Sequence, residues 1–482
     1  MRRHFTMTMT RRISLQITFS LLVLTAALLL AQPALARQAD LYVDAAAKEN
    51  GDGSREHPFW RITDGVVAAR ALRPYHHRIT LHVQPGTYVG SYDPDHLAGD
   101  PRLEMLPIIL NVSNLSLEGG TELDEDVDGL PTGTYRPESE TLLTLEICQL
   151  ACPLIRGQTL LLIAATNDGT AGNRVSVSGF VIDGRSEGIL AAVGFSIFAD
   201  RVSDFSIHHN LLRHGGGGFA SRMASGTLEA NFCTNNNNIG FFVTGGNLAH
   251  PASVTLQRNR ATQNAGGASL FAVANFVTLV LGANPLMLEP LQVTYDRKNP
   301  EDVRNIPDQL EATVEANDLS ENLLLIATGL RCTFYPPIHY TTMDATQPIT
   351  GTLNVNVRDN RLNRNGDHGI TIDAGFSNRS DPRQLTGRFE GRFENNALID
   401  NGRNKSLVGF TNRDASSGLG SRQDYKYMRE SSVYVADLDS ELEGFDYDHP
   451  LKDPFDGSPV VGNVLIVNGQ VQPNGIRISP RP

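Results

Sequence analysis

The sequence predicts an all-β protein folded as a right-handed parallel β-helix, a solenoid with an N-terminal helix cap and long loop insertions. Three observations lead to this prediction: an internal repeat centred on asparagine, apolar columns in fixed register with that repeat, and short β-branched runs in a chain poor in aromatic residues. A solenoid also accommodates 482 residues without separate globular domains, because each coil packs only on its neighbours.

The repeat consists of an asparagine followed five positions later by a second asparagine or a substitute. The leading residues are Asn210, Asn231, Asn259, Asn317, Asn360 and Asn396, and their followers are Gly215, Asn236, Asn264, Asn322, Asn365 and Asn401. The residues three positions before the leading asparagines are apolar, namely Ile207, Leu228, Leu256, Val314, Val357 and Phe393. The residues that come two positions after the leading asparagines are apolar or small, namely Leu212, Cys233, Ala261, Leu319, Leu362 and Leu398. This alternation into a turn predicts a strand, a corner and a second inward side chain in every copy.

Stacked coils give the asparagine a physical role. Equivalent residues of neighbouring coils lie about 4.8 Å apart, so their amides can form a hydrogen-bonded ladder. Asparagine also tolerates the left-handed backbone conformation that a sharp corner needs, which leads us to expect that conformation at the asparagine itself. The right-handed sense follows from the strong preference of parallel crossover connections. An earlier coil is expected over residues 175–184, with Phe180 inward and Asp183 at the ladder position.

The first 36 residues read as a targeting signal. Arg2, Arg3, Arg11 and Arg12 precede an apolar stretch over residues 17–31, and Ala34-Leu35-Ala36 forms a small-residue cleavage site. We therefore expect a secreted or periplasmic bacterial protein that is a monomer without a membrane span, an uncleaved signal anchor being the alternative. The remaining segments are predicted as the cap and first coils (37–120), an acidic loop insertion (121–160), the β-helix coils (161–415) and a closing C-terminal region (416–482).

Charge and cysteine content exclude some functions. Removing the signal leaves 37 basic against 53 acidic residues, a net charge of −16, which disfavours nucleic acid as a partner. Four cysteines are too few for a disulfide scaffold in a chain of this length. Cys148 and Cys152 are close enough for a small loop bridge, and Cys233 with Cys332 is a second conceivable pair, although spacing alone establishes neither.

A set of N-terminal motifs carries a family resemblance. The set comprises Tyr42-Val43-Asp44, Gly51-Asp52-Gly53-Ser54, His57-Pro58-Phe59, an amphipathic helix over residues 62–72 and the turn Pro85-Gly86-Thr87-Tyr88. It resembles the N-terminal region of pectin-lyase-like parallel β-helix proteins, especially the group with a domain of unknown function called DUF1565. The resemblance covers roughly residues 41–120 and implies a segment that caps the solenoid and supplies its first coils. It implies no catalytic residue, because the matching positions are structural.

Residues 124–129 suggest a calcium loop. Asp124, Asp126 and Asp128 stand at positions one, three and five, with Gly129 at six, as in loops that direct three carboxylates to one ion. Position twelve departs from that pattern, since Tyr135 replaces the bidentate glutamate. We expect calcium as a structural cofactor here, and a solvated acidic turn is the alternative reading.

Two further clusters are candidates for chemistry. Asp367, His368 and Asp373 surround the strand pattern of residues 370–373, where two carboxylates and an imidazole would suit acid–base cleavage of a glycan. His214 and Arg222 flank the glycine run 215–218, where missing side chains would open a groove for substrate and an arginine would bind a uronate or act as an elimination base. Ordinary polar turns and surface residues are the alternative in both places.

The function expected from this reading concerns polysaccharide. An exported β-helix with these clusters is expected to bind or cleave an extracellular polysaccharide along the groove of one sheet, as a glycoside hydrolase or polysaccharide lyase. Because part of this reasoning is analogy between folds, a non-catalytic surface or adhesion scaffold is the alternative.

Overall fold

Three parallel β-sheets organise the chain in the computed structural model, which describes residues 38–92, 94–145, 159–164, 172–184, 194–247, 251–271, 309–322, 328–333, 349–365, 369–373, 385–397, 408–411, 432–441, 464–467 and 470–472. The chain visits the sheets in a fixed order. Val202–His208 lies in sheet 1, Leu211–Arg213 in sheet 3 and Gly217–Arg222 in sheet 2, after which Gly226–Glu229 returns to sheet 1 beside Val202–His208. The predicted all-β parallel β-helix is therefore confirmed.

The strands of each sheet follow one another along the solenoid in sequence order, except at its N-terminal end. Sheet 1 contains Gln38–Val43, Arg78–Val83, Leu115–Glu118, Gly172–Ser178, Val202–His208, Gly226–Glu229, Ser253–Gln257, Gln309–Glu315, Ile349–Arg358, Leu385–Ala397, Ser432–Glu441, Val464–Val467 and the antiparallel Gln470–Gln472. Sheet 2 contains Ile108–Leu110, Leu161–Ala164, Phe195–Asp200, Gly217–Arg222, Ile239–Thr244, Gly266–Phe271, Leu330–Thr333, Ile370–Asp373 and Val408–Thr411. Sheet 3 contains Glu104–Met105, Gly86–Ser91, Thr141–Leu145, Val181–Asp183, Leu211–Arg213, Phe232–Thr234 and Arg260–Thr262.

The core is built from the predicted apolar columns. Ile207, Leu228, Leu256, Val314 and Val357 stand opposite one another in parallel register, and all are fully buried. The column after the asparagines is buried in the same way, through Leu212, Cys233, Ala261, Leu319 and Leu362. Period-two alternation therefore sends one side chain in two to the interior of each coil, as the sequence predicted.

The leading asparagines form a continuous buried ladder. The six are Asn210, Asn231, Asn259, Asn317, Asn360 and Asn396, and each is at most 1% exposed. In a typical step, Asn259 Oδ1 accepts hydrogen bonds from both the backbone N–H and the Nδ2 of Asn231, at 3.0 Å each, while Asn231 Nδ2 also donates to the Ile207 carbonyl at 2.8 Å. The amide therefore satisfies backbone groups at a corner where the sheet ladder is interrupted.

A second ladder follows five residues later in each coil. Asn236, Asn264, Asn322 and Asn365 are linked by side-chain amide bonds of 3.0, 3.3 and 3.1 Å. Gly215 has no side chain to extend the series, but its backbone N–H donates to Asn236 Oδ1 at 3.0 Å. Asn401, the predicted last member, lies outside the described residues.

The prediction that asparagine itself adopts the left-handed conformation is wrong. The residue before each of the first five leading asparagines has the positive φ instead, with values from 51° to 59° at His209, Ala230, Arg258, Ala316 and Asp359. The left-handed residue turns the chain, and the asparagine beside it then inserts its amide between the two strands. Position in the corner, rather than tolerance of strain, explains the choice of asparagine.

The first copy of the corner also differs from the prediction. Val181 stands opposite Leu211, so Phe180 rather than Asp183 occupies the register position of Asn210. The Phe180 side chain is buried as expected, and its backbone N–H donates to Asn210 Oδ1 at 3.1 Å. Asp183 faces Arg213 in register, which removes it from the ladder and places it on the outer side of sheet 3, where it is buried beneath its ion-pair partners.

Helix α1 (Ile62–Leu72) caps the N-terminal end of the solenoid. It contacts the first strands of all three sheets, and Ile62, Val66 and Ala69 are buried against them. Arg61 at the N-cap makes no side-chain capping bond, and Glu104 of sheet 3 supplies one instead. Its carboxylate accepts hydrogen bonds from the N–H groups of Ile62 and Thr63 and from Thr63 Oγ1 at 2.6 Å. The short helix α2 (Pro94–Gly99) and a 3-10 turn (Pro137–Ser139) complete the described helical elements.

The predicted acidic insertion is partly built into the solenoid. Leu123–Glu125 and Pro131–Tyr135 form an antiparallel hairpin, but Thr141–Leu145 is a strand of sheet 3. Cys233 and Cys332 are both buried and free, so the pairing offered for them is wrong: one side chain belongs to sheet 3 and the other to sheet 2. Cys148 and Cys152 lie outside the described residues, as does the predicted signal over residues 1–36. Within the described part of the chain, no helix is both long and apolar enough to cross a bilayer.

Candidate functional site

Sheet 2 contains two of the residues that the sequence selected, Arg222 and Asp373. Asp200, Arg222, Thr244 and Phe271 are linked through strand register into one outward row, and the backbone register continues from Phe271 through Thr333 to Asp373. Because neighbouring strands lie about 4.8 Å apart, Arg222 and Asp373 are roughly 19 Å from each other along the solenoid. They belong to the same sheet but are too far apart to act on the same bond.

A stack of aromatic rings crosses this face. Phe195 and Phe242 have ring centroids 5.9 Å apart, and Phe242 and Phe271 have centroids 4.9 Å apart. The guanidinium of Arg331 then lies over the Phe271 ring at 5.8 Å from its centroid. Phe242 and Arg331 are half-buried, whereas Phe271 is nearly covered. Of these four side chains, Phe242 and Arg331 are the ones exposed enough to contact a ligand, by ring stacking and by charge.

Arg222 is held in a buried ion pair on the same face. Its Nε donates to Asp200 Oδ1 at 2.7 Å, and Arg201 Nε lies 3.2 Å from Asp200 Oδ2. Asp200 is fully buried and Arg222 is 7% exposed. Burial alone would raise the pKa of the Asp200 carboxyl, but Arg222 and Arg201 together hold the pKa below its ordinary value. Because Arg222 is committed to this buried ion pair, it has a structural role here.

His214 has a separate partner at the edge of sheet 3. Its Nδ1 lies 3.1 Å from Asp183 Oδ1, and Arg213 Nε donates to Asp183 Oδ2 at 2.9 Å. His214 precedes the strand Gly217–Arg222, which Arg222 ends, so the structure does not bring the two predicted substrate-binding residues together. Asp183 orients the imidazole, and sequence reasoning missed this because Asp183 is 31 positions earlier in the chain.

The glycine run between them is not an open groove. A side chain at Gly217 would collide with the Phe195 ring at 2.3 Å, and one at Gly218 would meet Cys233 Sγ at 2.5 Å. These glycines allow the backbone to pack closely against neighbouring coils. The prediction of a groove created by absent side chains is therefore wrong.

The acidic loop is docked on the outer face of sheet 3. The acidic hairpin, residues 123–135, packs its Leu123 and Tyr135 against Val181, Leu211 and Phe232. Arg260 of sheet 3 pairs with Asp126 at 2.6 Å, and Arg361, two coils beyond that sheet's last strand, pairs with Asp128 at 2.6 Å. The hairpin therefore spans several coils and closes its acidic tip on two arginines.

The carboxylates of this loop do not fit a calcium site in this arrangement. Asp126 Oδ1 accepts the N–H groups of Asp128 and Leu130, and Asp124 Oδ2 accepts Thr134 Oγ1 at 2.7 Å. Burial works to raise the pKa of Asp126, but those N–H donors and Arg260 lower it overall. Among the described residues, no group of three or more metal-binding side chains is placed to hold an ion. Calcium stays a prediction from sequence, and no step of the function below depends on it.

The remaining predicted catalytic residues fall at the edge of the described chain. Asp367 and His368 lie outside the described residues, and Asp373 ends the strand Ile370–Asp373, opposite Thr333 and Thr411. Sequence reasoning missed Asp200, Phe242, Phe271 and Arg331 on the same face. The alternation of each strand in sheet 2 places these four residues at outward positions, and this alternation is the sequence signal for them. The asparagine repeat does not locate those strands, because the loops between the sheets vary in length.

Comparison with known proteins adds little beyond the fold. No family model matches the chain, and no curated protein matches it in sequence. The mannuronan C-5 epimerase A-module of Azotobacter vinelandii is a similar solved structure, with 12% identity, a TM-score of 0.32, and coverage of 83% of this chain and 94% of that chain. A DFA-IIIase variant from Arthrobacter chlorophenolicus A6 has 13% identity and a TM-score of 0.33, over 92% and 99% of the two chains.

A third similar structure is ORF18 of Geobacillus virus E2, with 10% identity and a TM-score of 0.33. The match covers 71% of this chain and spans 57% of the length of that protein. The parallel β-helix is established by the strand register described above rather than by these similarities. The resemblance of residues 41–120 to the DUF1565 group stays a prediction.

Proposed function

We propose that this protein binds an extracellular polysaccharide along the outer face of sheet 2 and cleaves it there. The observation that carries the proposal is the half-buried Phe242 ring, packed between Phe195 and Phe271, together with the half-buried Arg331 guanidinium over Phe271. Aromatic faces suit the apolar faces of sugar rings, and an arginine suits a carboxylate or hydroxyl beyond them. A chain of sugars lying along the solenoid axis would contact one coil after another.

The chemistry of cleavage is assigned to the C-terminal end of this face. Asp373 follows Thr333 in the backbone register of sheet 2, and Asp367 and His368 precede it by a few residues in sequence. Hydrolysis would use one carboxylate as general acid and the other as base or nucleophile, with His368 in support. Elimination with Arg222 as the base is disfavoured, because Arg222 is already committed to the buried Asp200 carboxylate.

A second candidate is a scaffold that binds glycan without cleaving it. The observation that favours it is that charged side chains described on sheets 2 and 3 form ion pairs with one another. Asp200 pairs with Arg222 and Arg201, and Asp183 pairs with Arg213 and His214. Such pairs stabilise a rigid surface and leave fewer groups for acid–base work.

The test uses the full chain and a panel of polyuronates, neutral glucans and fructans. Release of reducing ends indicates hydrolysis, ultraviolet absorbance of an unsaturated sugar indicates elimination, and binding without product indicates the scaffold. We expect Phe242→Ala and Arg331→Gln each to raise the KM for the cleaved polysaccharide roughly tenfold, as for loss of an aromatic or charged contact. Asp373→Asn is expected to abolish product while binding persists.

Arg174→Gln is the matched control, because Arg174 lies on sheet 1 and is 78% exposed. The proposal is overturned if no polysaccharide in the panel is bound or cleaved. It is also overturned if Arg331→Gln and Arg174→Gln release product equally fast from the polysaccharide that the wild type cleaves.

A further inference from the structure

A row of hydroxyl side chains runs along the outer face of sheet 1. Strand register places one Ser or Thr per coil opposite the next through seven consecutive coils, in the order Thr80, Ser116, Ser176, Ser206, Thr227, Thr255 and Thr313. Apart from Gly226, the neighbouring residues on either side in each strand, such as Val254 and Leu256, are buried in the core. The alternation therefore directs every hydroxyl of this row outward.

The hydroxyls in the middle of the row have no protein partner. Among the residues that the structure describes, Ser206, Thr227, Thr255 and Thr313 make no side-chain hydrogen bond, and all four are half-buried. Asn356 stands opposite Thr313 in the next coil, and its Oδ1 is buried without a partner. If the row served only to stabilise the sheet, hydroxyl bonds between neighbouring strands would be expected along it. Instead the structure presents four adjacent hydroxyls that no protein group binds.

The flanking charges are largely neutralised within the protein. On the side nearer the asparagine ladder, Glu229 pairs with Arg258, and Glu315 pairs with Arg358 at 2.7 Å. On the other side Arg174 lies 3.8 Å from Asp204, and Glu311 adds one further carboxylate. A chain with a net charge of −12 thus has a strip in which hydroxyls, rather than charges, are available to a ligand. An uncharged, hydroxyl-rich ligand complements this strip best.

We infer that the outer face of sheet 1 is a second binding surface, which takes a neutral polysaccharide chain lying along the solenoid axis. The hydroxyls of Ser206, Thr227, Thr255 and Thr313 recur at the strand spacing of about 4.8 Å, so each of these coils offers the ligand one hydrogen-bonding group. A polymer with regularly repeated hydroxyls pairs with several of them at once, and weak single contacts add up. The surface lies on a different sheet from Phe242 and Arg331, and it binds without cleaving.

The experiment measures retention of the full chain on insoluble neutral glucans, with an isosteric variant. Thr227→Val, Thr255→Val and Thr313→Val are combined, because valine keeps the branched shape and strand preference of threonine and removes only the hydroxyl. Thr262→Val is the matched control, since Thr262 belongs to the same coil as Thr255 but lies in sheet 3. We expect the triple variant to bind at least tenfold more weakly, with Thr262→Val unchanged and both with wild-type melting temperature.

Three results would overturn the inference. The first is that the triple variant is retained on neutral glucan as strongly as the wild type. The others are that the protein binds polyuronates but no neutral glucan, or that it adsorbs to ice crystals but is retained on no glucan. Arg331→Gln separates this surface from the sheet 2 site. If that variant loses product but keeps its retention on neutral glucan, the two faces are independent, as inferred. If it loses retention to the same extent as the triple variant, glucan is held by sheet 2 and the inference fails.

Discussion

Asn259 illustrates how a single side chain contributes to this fold. It accepts two hydrogen bonds from Asn231, and its Nδ2 donates to the Leu228 carbonyl at 2.8 Å and to Asn317 Oδ1 at 3.0 Å. All of these groups are buried, so each bond lost leaves a polar atom without a partner or water. Glu104 is a different case, since it is a buried acid whose donors come from a helix end rather than from a repeat.

Replacing one ladder amide is expected to destabilise the protein strongly. Asn259→Ala removes four buried hydrogen bonds and should lower the free energy of unfolding by roughly 2–4 kcal/mol, measured by urea denaturation. Asn238→Ala is the control, because Asn238 is exposed and its described hydrogen bond uses the backbone carbonyl. A loss below about 0.5 kcal/mol for Asn259→Ala would contradict the role given to the ladder.

The buried carboxyl of Glu104 leads us to expect that the free energy of unfolding depends on pH. Burial raises its pKa to about 7 from an ordinary value of 4.5, although its three donors favour the ionised form. Between these two values the folded state holds a proton that the unfolded state has lost, so stability falls as pH rises through this range. The contribution amounts to roughly 3 kcal/mol.

Melting temperatures across pH 4 to 8 test this prediction. Glu104→Gln keeps the carbonyl acceptor and removes the titration, so its curve should lack the fall between about pH 4.5 and pH 7. Glu56→Gln, at an exposed position, should retain it. Identical slopes for Glu104→Gln and the wild type would show that Glu104 does not titrate as stated.

The acidic hairpin shows where sequence reasoning stopped. Its carboxylates matched a metal loop by spacing, but their partners Arg260 and Arg361 are 134 and 233 residues away in sequence. The asparagine columns, in contrast, can be recognised from the sequence alone, because every copy has the same local pattern. The apolar columns, the corners and the helix α1 cap were therefore predictable, whereas contacts between a loop and a distant coil were not.

Removing one of the ion pairs that hold the acidic hairpin is expected to make local opening of the hairpin more frequent. Arg260→Gln should speed hydrogen exchange of the backbone amides in residues 123–135 and cost about 1–2 kcal/mol of stability, because the pair with Asp126 is partly buried. Arg258→Gln is the control, since Arg258 is about half-exposed and pairs with Glu229 on sheet 1. Calcium or a chelator should change neither exchange nor melting temperature. Faster exchange on chelation would favour an ion in the loop instead.

The candidate surfaces belong to the solenoid as a whole. Each consists of side chains that are far apart in sequence and become neighbours only because the coils stack in register, as Phe242, Phe271 and Arg331 do. The sequence pointed to one end of this face, at Asp373, but not to the ring stack. A ring's position on the outside of a strand depends on where each loop ends, and loop lengths differ between coils. Both proposed glycan surfaces exist only if the coils stack in this register.

Cysteine trapping of Thr255 and Thr313 tests the stacking most directly. They lie opposite each other on adjacent strands of sheet 1, about 4.8 Å apart, within the range that a disulfide spans. The double variant Thr255→Cys with Thr313→Cys should cross-link under mild oxidation, as seen by peptide mass spectrometry, and keep its melting temperature. Thr255→Cys with Glu311→Cys is shifted by two residues to about 8 Å and should not cross-link. Equal cross-linking of both pairs, or none in the first, would contradict the register on which this account is built.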